Sequence, residues 1–447
     1  MCAVPKKRKI VSLKTTSAYS NYKKQQKELK NHEDPKKREK IENRRKKEQQ
    51  AEKRAAKKSS AKNSRINKST DKVKSSVNNA GIKTRQAVDR QKANIQKVKK
   101  ANSGHMHLSQ DIGIDLGTTS IKVFVKGRGV VFNEPAVVAI NRETKEVAAV
   151  GNAARLLLEK GTENVEAIRP MHEGAIADYD VSEKMLQYFI EQACGRNWII
   201  KPRIMLCTHA DTTKVEEKSI RQIALQSGAR QAYLMDKATA SAIGVGLNVH
   251  STSGDLIVDI GGGTTDIAII ALDGTVCGKT IRIGGDNLNE SIIKHVRRDH
   301  NLLIGEHCAE DIKCSIGTAV INDFNKKDFV KITGKDLETG EMKTITYTAK
   351  ECNNAIMEQL NKIINAINDV LELAPPEITA DIIAKGMVLT GGTARLSNLA
   401  LLISKKTLIH VSTAENPEDS VAIGTGKALE MLGRYSSTGY FNRNTLK

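Results

Sequence analysis

Two short segments of this chain follow one plan, and that repetition limits the folds open to it. Ile112-Gly113-Ile114-Asp115-Leu116 reads as a buried strand, Gly117-Thr118-Thr119-Ser120 as a tight turn, and Ile121-Lys122-Val123-Phe124-Val125 as a second strand. About 145 residues later the plan returns as Leu256-Ile257-Val258-Asp259-Ile260, Gly261-Gly262-Gly263-Thr264-Thr265 and Asp266-Ile267-Ala268-Ile269-Ile270. Two copies of a strand–turn–strand unit imply two related half-domains facing one another. Amphipathic helical stretches such as Thr213–Ser227 and Cys352–Leu373 lie between and after them, so the class is α/β.

A tight turn of Gly, Ser and Thr between buried strands presents successive backbone N–H groups and hydroxyls to an anion. A single such hairpin is usually only conformational; a pair can clamp a polyphosphate from both sides. Asp115 and Asp259, at the strand ends, are placed to hold Mg²⁺ through its retained waters. A third Gly turn, Gly391-Gly392-Thr393-Ala394, follows the strand Met387–Thr390 and suits close approach of backbone to a flat base. Glu310 and Lys313, three apart on an expected helix, form a surface ion pair or reach toward ribose and base. Neither hairpin fits the Walker A spacing or the dinucleotide-binding fingerprint, which excludes both of those folds.

Charge is unevenly spread. Residues 1–104 hold 33 Lys and Arg against 9 Asp and Glu, whereas the whole chain holds 71 against 51, so the remainder is slightly acidic. The basic segment has few apolar side chains to offset its ordering entropy and is expected to be disordered, with a transient charged helix at 34–58. Seven scattered cysteines form no CxxC pair and read as reduced thiols rather than a disulfide framework. No stretch reaches the roughly 18 apolar residues of a membrane span. No apolar run follows the N-terminal basic residues, which argues against a secretory leader.

The paired hairpins resemble those of the actin, heat-shock chaperone and sugar kinase superfamily. Longer stretches are similar to the bacterial MreB family in particular. They are Lys126-Gly127-Arg128-Gly129 followed by Asn133-Glu134-Pro135, Ala167-Ile168-Arg169-Pro170, Gly174-Ala175-Ile176-Ala177-Asp178, Asn301-Leu302-Leu303-Ile304-Gly305-Glu306, Pro375-Pro376-Glu377 and Ile423-Gly424-Thr425-Gly426-Lys427-Ala428. The likeness runs from about Ser109 to Arg434, and the tail has no counterpart in it. It implies an actin-like ATPase fold: two duplicated α/β lobes, four subdomains in all, around a nucleotide cleft, and assembly with further copies into filaments.

The expected boundaries are a tail at 1–107, a first lobe at 108–250 with a subdomain inserted at about 138–171, and a second lobe at 251–419 with one inserted at about 287–350. A return helix at 420–436 and a short tail at 437–447 complete the chain. The resemblance assigns ATP binding to Gly117, Thr118, Thr119, Ser120, Lys122, Gly261, Gly262, Gly263, Thr264, Glu310, Asp311, Ile312, Lys313, Gly391, Gly392, Thr393 and Ala394.

The departures from the family pattern bear on mechanism. Where the family has Glu-Pro before a run of small residues, this chain has Asp236-Lys237, and Lys237 stands at the position of the hydrolytic glutamate. An ammonium has no acceptor lone pair for the attacking water, so hydrolysis is expected to be impaired, with Asp236 as the candidate substitute. Lys122 replaces an apolar residue, either near the phosphates or at the surface, and Thr393 replaces the third glycine of the adenine turn.

The lone tryptophan lies in Asn197-Trp198-Ile199-Ile200-Lys201-Pro202. That segment suits a shallow membrane-inserting loop at an anionic surface, a buried loop anchor being the alternative. Tail lysines and arginines would add electrostatic attraction to membrane or, without sequence preference, to nucleic acid. Pro5-Lys6-Lys7-Arg8-Lys9 resembles a nuclear import signal and is read as coincidental. The leading expectation is a cytoplasmic filament protein organising cell shape at the inner face of the membrane, with other cell-shape proteins as unidentified partners. A sugar- or acetate-type kinase of the same superfamily is the alternative. A chaperone would need a peptide-binding domain, which the residues after Arg434 leave no room for.

Overall fold

The computed structural model describes residues 111–159, 164–172, 174–195 and 200–432. The basic tail, Trp198 and Ile199 lie outside the described residues. The first hairpin forms as its alternation demands: β1 (Asp111–Leu116) pairs antiparallel with β2 (Ser120–Val125), which pairs with β3 (Gly129–Pro135). A small sheet of β4 (Val138–Asn141), β5 (Val147–Val150) and β6 (Val165–Ile168) follows, with α1 (Asn152–Glu159) between its last two strands in sequence. The short β7 (Met171–His172) and β8 (Ala175–Ile176) lead to α2 (Tyr179–Cys194), whose first turn Asp178 caps through Val181 N.

Parallel strands then extend the first sheet. β9 (Arg203–Thr208) and β10 (Gln231–Asp236) flank α3 (Lys214–Gln226) and give the strand order β10-β9-β1-β2-β3. A reciprocal capping box between Thr213 and Glu216 starts α3. After α4 (Lys237–Val245) the plan repeats with β11 (Asp255–Ile260), β12 (Thr265–Ala271) and β13 (Gly274–Ile281) as an antiparallel meander.

α5 (Gly285–His300), β14 (Leu302–Leu303), α6 (Glu306–Ile316), β15 (Phe329–Asp336) and β16 (Met342–Thr348) form a second insertion with its own three-stranded sheet. The long α7 (Ala349–Leu373) and α8 (Pro376–Lys385) return the chain to β17 (Met387–Thr390), α9 (Leu399–Thr407) and β18 (Val411–Thr413). The second sheet runs β13-β12-β11-β17-β18, so it too joins an antiparallel meander to parallel strands.

α10 (Ser420–Glu430) crosses from the second lobe to the first and packs beside α4. Small residues explain how close the two helices come. A side chain on Gly424 would meet the Ala240 carbonyl at 1.7 Å, and one on Gly244 would meet that of Ser420 at 1.8 Å. The run Ala238-Thr239-Ala240-Ser241-Ala242 is small for that reason. A shared core joins the lobes there, with Met205 and Met235 from the first sheet, Ile257 and Ile270 from the second, and Val421 and Leu429 from α10. Each such side chain contributes about 1.5–3 kcal/mol on burial, so the lobes are fused beneath the cleft rather than merely tethered.

Candidate functional site

Both hairpins close with the same hydrogen bond: Gly117 N donates to Ser120 O at 3.1 Å, and Gly261 N donates to Thr264 O at 2.9 Å. The turns meet tip to tip. A methyl group on Gly262 would come within 1.8 Å of Thr119 Oγ1, and one on Gly263 within 2.8 Å of Thr118 Oγ1. Only glycine lets the two tips come this close. Further bonds tie the tips down, with Thr119 Oγ1 donating to Asp286 Oδ2 at 3.0 Å and Gly174 N donating to Thr118 Oγ1 at 3.1 Å.

The strands beneath the turns carry the charge. In the first hairpin Asp115 stands opposite Lys122 in the ladder, and the ammonium lies 3.9 Å from Asp115 Oδ2 and donates to Ser120 Oγ at 3.3 Å. Lys122 is buried, which decides against its surface reading. In the second hairpin the same register places Asp259 opposite Asp266, acid against acid. Lys237, at the start of α4, reaches both, with Nζ 3.1 Å from Asp259 Oδ2 and 3.6 Å from Asp266 Oδ2.

Burial would push the Lys237 ammonium down, but Asp259, Asp266 and Asp115 outweigh it and hold the group charged, well above the ordinary lysine value. Burial likewise acts to raise the Asp266 carboxyl. The charges of His209 and Lys237, with hydrogen bonds from His209 and Thr280, instead bring it down to about 2. His209 Nδ1 lies 2.7 Å from Asp266 Oδ1, and Thr280 Oγ1 donates to the same oxygen at 2.7 Å. Asp236 is spent elsewhere: its carboxylate caps α4, accepting from Thr239 N and Thr239 Oγ1 at 2.9 Å each.

The third turn joins this group. Thr393 Oγ1 donates to Gly261 O at 2.7 Å. Gly391 adopts φ +83°, and a Cβ there would fall 2.2 Å from Ile260 O, so no other residue fits. α6 leans in from the side, where Lys313 Nζ donates to Gly285 O at 3.1 Å and to Glu310 Oε2 at 2.7 Å. Glu310 also accepts from Asn289 Nδ2 at 2.7 Å. Burial acts to raise its carboxyl, but the Lys313 bond and charge hold it below the usual range. Glu310 and Lys313 thus form the expected ion pair, and Lys313 also ties α6 to the start of α5 at Gly285. Asp311 and Ile312 are not brought to the site. The helical twist sends Ile312 into the core of the second lobe and leaves Asp311 exposed beside His307, 3.3 Å away.

The model of the MreB/Mbl protein family matches residues 109–437. The chain belongs to the MreB/Mbl family. It is similar to the cell shape-determining protein Mbl of Bacillus cereus, at 41% identity over 326 residues, 73% of this chain and 97% of that protein. It is similar to the cell shape-determining protein MreB of Escherichia coli, at 45% over 329 residues, 72% and 94% of the two chains. Among solved structures, MreB5 of Spiroplasma citri bound to ADP superposes with a TM-score of 0.69 at 28% identity, covering 73% of this chain and 98% of that one. The two-lobed architecture is therefore the actin-like fold of the MreB/Mbl family.

The two acids expected to hold Mg²⁺ are each met by a cation of the chain itself. Asp259 Oδ1 accepts from Thr390 Oγ1 at 3.1 Å while Oδ2 faces the Lys237 ammonium, and Asp115 faces Lys122. Among the described residues no three His, Cys, Asp or Glu side chains converge as a metal site. Asp259 and Asp266 have their counter-charge built in as Lys237, which makes this pair a poor fit for a divalent cation. Residue-by-residue reading also missed Asp266, His209 and Asp286. The register of the duplicated hairpin was the available signal for Asp266, since it occupies the position that Lys122 holds in the first copy.

Proposed function

We propose that this chain is an actin-like cytoskeletal protein that binds ATP between its two Gly/Thr turns and assembles with its own copies into filaments. The filaments organise cell shape at the inner face of the membrane, with hydrolysis impaired. One observation carries the reading: two identically closed turns meet at Thr119–Gly262 and Thr118–Gly263 with the Lys237 ammonium beneath them. Turns of this kind offer converging N–H groups to a polyphosphate, and the third turn lies against the second through Thr393. Family membership, relatives named for determining cell shape and an ADP-bound structural neighbour support the nucleotide and the cytoskeletal role.

Impaired hydrolysis follows from the chemistry available around the turns. Lys237 is held charged and offers no acceptor for the attacking water. Asp236 is committed to its helix cap, and Asp266, brought down to about 2, is a weak proton acceptor near neutral pH. Membrane attachment is proposed from the Trp198–Ile200 segment, of which Ile200 is half-buried, together with the basic tail. The tail would also attract nucleic acid without sequence preference.

Electron microscopy of the purified full chain with ATP is the test. Protofilaments are the expected result; single particles at every concentration and salt condition would overturn the filament reading.

A further inference from the structure

We propose that Lys237 is the resident counter-cation of the nucleotide site, so that ATP binds without help from a divalent metal. The inference rests on the nucleotide reading above and specifies its ionic chemistry. The two hairpins are built to the same register, yet their charges differ. Asp115 meets a lysine across the strand pair, whereas Asp259 meets Asp266. Like charges directly opposite one another destabilise a strand pair, and here both are almost fully buried, at 1% and 2% exposure. A cation at that spot relieves the repulsion before any ligand arrives.

The fold supplies it from α4, with Nζ 3.1 Å from Asp259 and 3.6 Å from Asp266. The ammonium also lies against the second turn, where a Cβ added to Gly261 would fall 3.5 Å from Nζ. An ammonium in place of the family's carboxylate raises the charge of the site by as much as one divalent ion would. His209 completes the set, occupying the far oxygen of Asp266. The oxygens of Asp259 and Asp266 are thus turned onto Lys237, Thr390, His209 and Thr280.

The test is calorimetric titration of ATP into the full chain, once with Mg²⁺ and once with EDTA. The wild type is expected to keep its affinity within about threefold between the two conditions. Lys237→Gln removes the charge and is expected to lose about tenfold or more in EDTA, with Mg²⁺ recovering part of the loss, while Lys237→Arg stays metal-independent. A wild-type loss of more than about thirtyfold in EDTA would overturn the proposal while leaving the nucleotide reading intact. Absence of binding in both conditions would overturn the nucleotide reading itself, and this inference with it. If Lys237→Gln does not fold, as its melting curve would reveal, the wild-type comparison decides alone.

Discussion

Gly262→Ala should weaken nucleotide binding by displacing one turn from the other. The backbone at this position is not left-handed, so alanine costs nothing in local conformation and the whole effect lies in the contact. The new methyl would sit 1.8 Å from Thr119 Oγ1 and 2.7 Å from Thr119 Cβ, too close for rotation of the hydroxyl alone to relieve. Thr119 must leave its position and give up its bond to Asp286, which costs about 1 kcal/mol. An off-rotamer side chain or a shifted turn adds about 1 kcal/mol more. If both fall on the closed, ligand-binding form, the dissociation constant rises roughly thirtyfold.

Calorimetry on the wild type, Gly262→Ala, Thr119→Gly and the double variant would measure this effect. The double variant should bind better than Gly262→Ala alone, because removing the Thr119 side chain vacates the space the methyl needs. Unchanged affinity in Gly262→Ala, or strict additivity in the double variant, would refute the tip-to-tip arrangement as the binding-competent one.

Two further outcomes are expected. Asp266 is depressed from 3.8 to about 2, a contribution of about 2 kcal/mol that is fully present above about pH 4 and lost as pH falls toward 2. Urea unfolding of the wild type should therefore lose about 1 kcal/mol more between about pH 6 and pH 3 than unfolding of Asp266→Asn; parallel losses would show that Asp266 is not the group titrating. Replacing Trp198, Ile199 and Ile200 by Ser should reduce flotation with anionic liposomes, each lost side chain being worth up to about 1.5–3 kcal/mol, and deleting residues 1–104 should reduce it separately. Equal flotation of the loop variant and the wild type would point to a packed loop instead.

Local signals located the hairpins well. The alternating apolar residues around Asp115 and Asp259, and the Gly/Thr turns between them, mark β1, β2, β11 and β12 to within a residue or two at each end. Thr213, read as the start of a helical stretch, caps α3. Long-range geometry was not readable in the same way. His209 meets Asp266 across 57 residues of chain, and no local pattern marks that contact. Asp236 could be named as a stand-in carboxylate from its neighbourhood alone. Its use as a helix cap depends on where β10 stops and α4 begins. Asp311 and Ile312 were drawn in by adjacency to Glu310 and Lys313, although consecutive helical residues point in different directions. Asp115 and Asp259 were matched to a metal because an acid at a strand end suits one; the lysine that answers Asp259 comes from another element altogether.

Phosphate release, measured on the full chain with ATP and Mg²⁺ for the wild type, Lys237→Glu and Asp236→Ala, tests the central claim most directly. A positioned general base typically contributes about 10²–10⁴ in rate, so a site lacking one should turn over slowly while still holding its nucleotide. Lys237→Glu should release phosphate at least about tenfold faster than the wild type, and Asp236→Ala should change the rate little, because that carboxylate is occupied by Thr239. A fast wild-type rate that Asp236→Ala abolishes would contradict the account, making Asp236 the working base and leaving Lys237 a bystander.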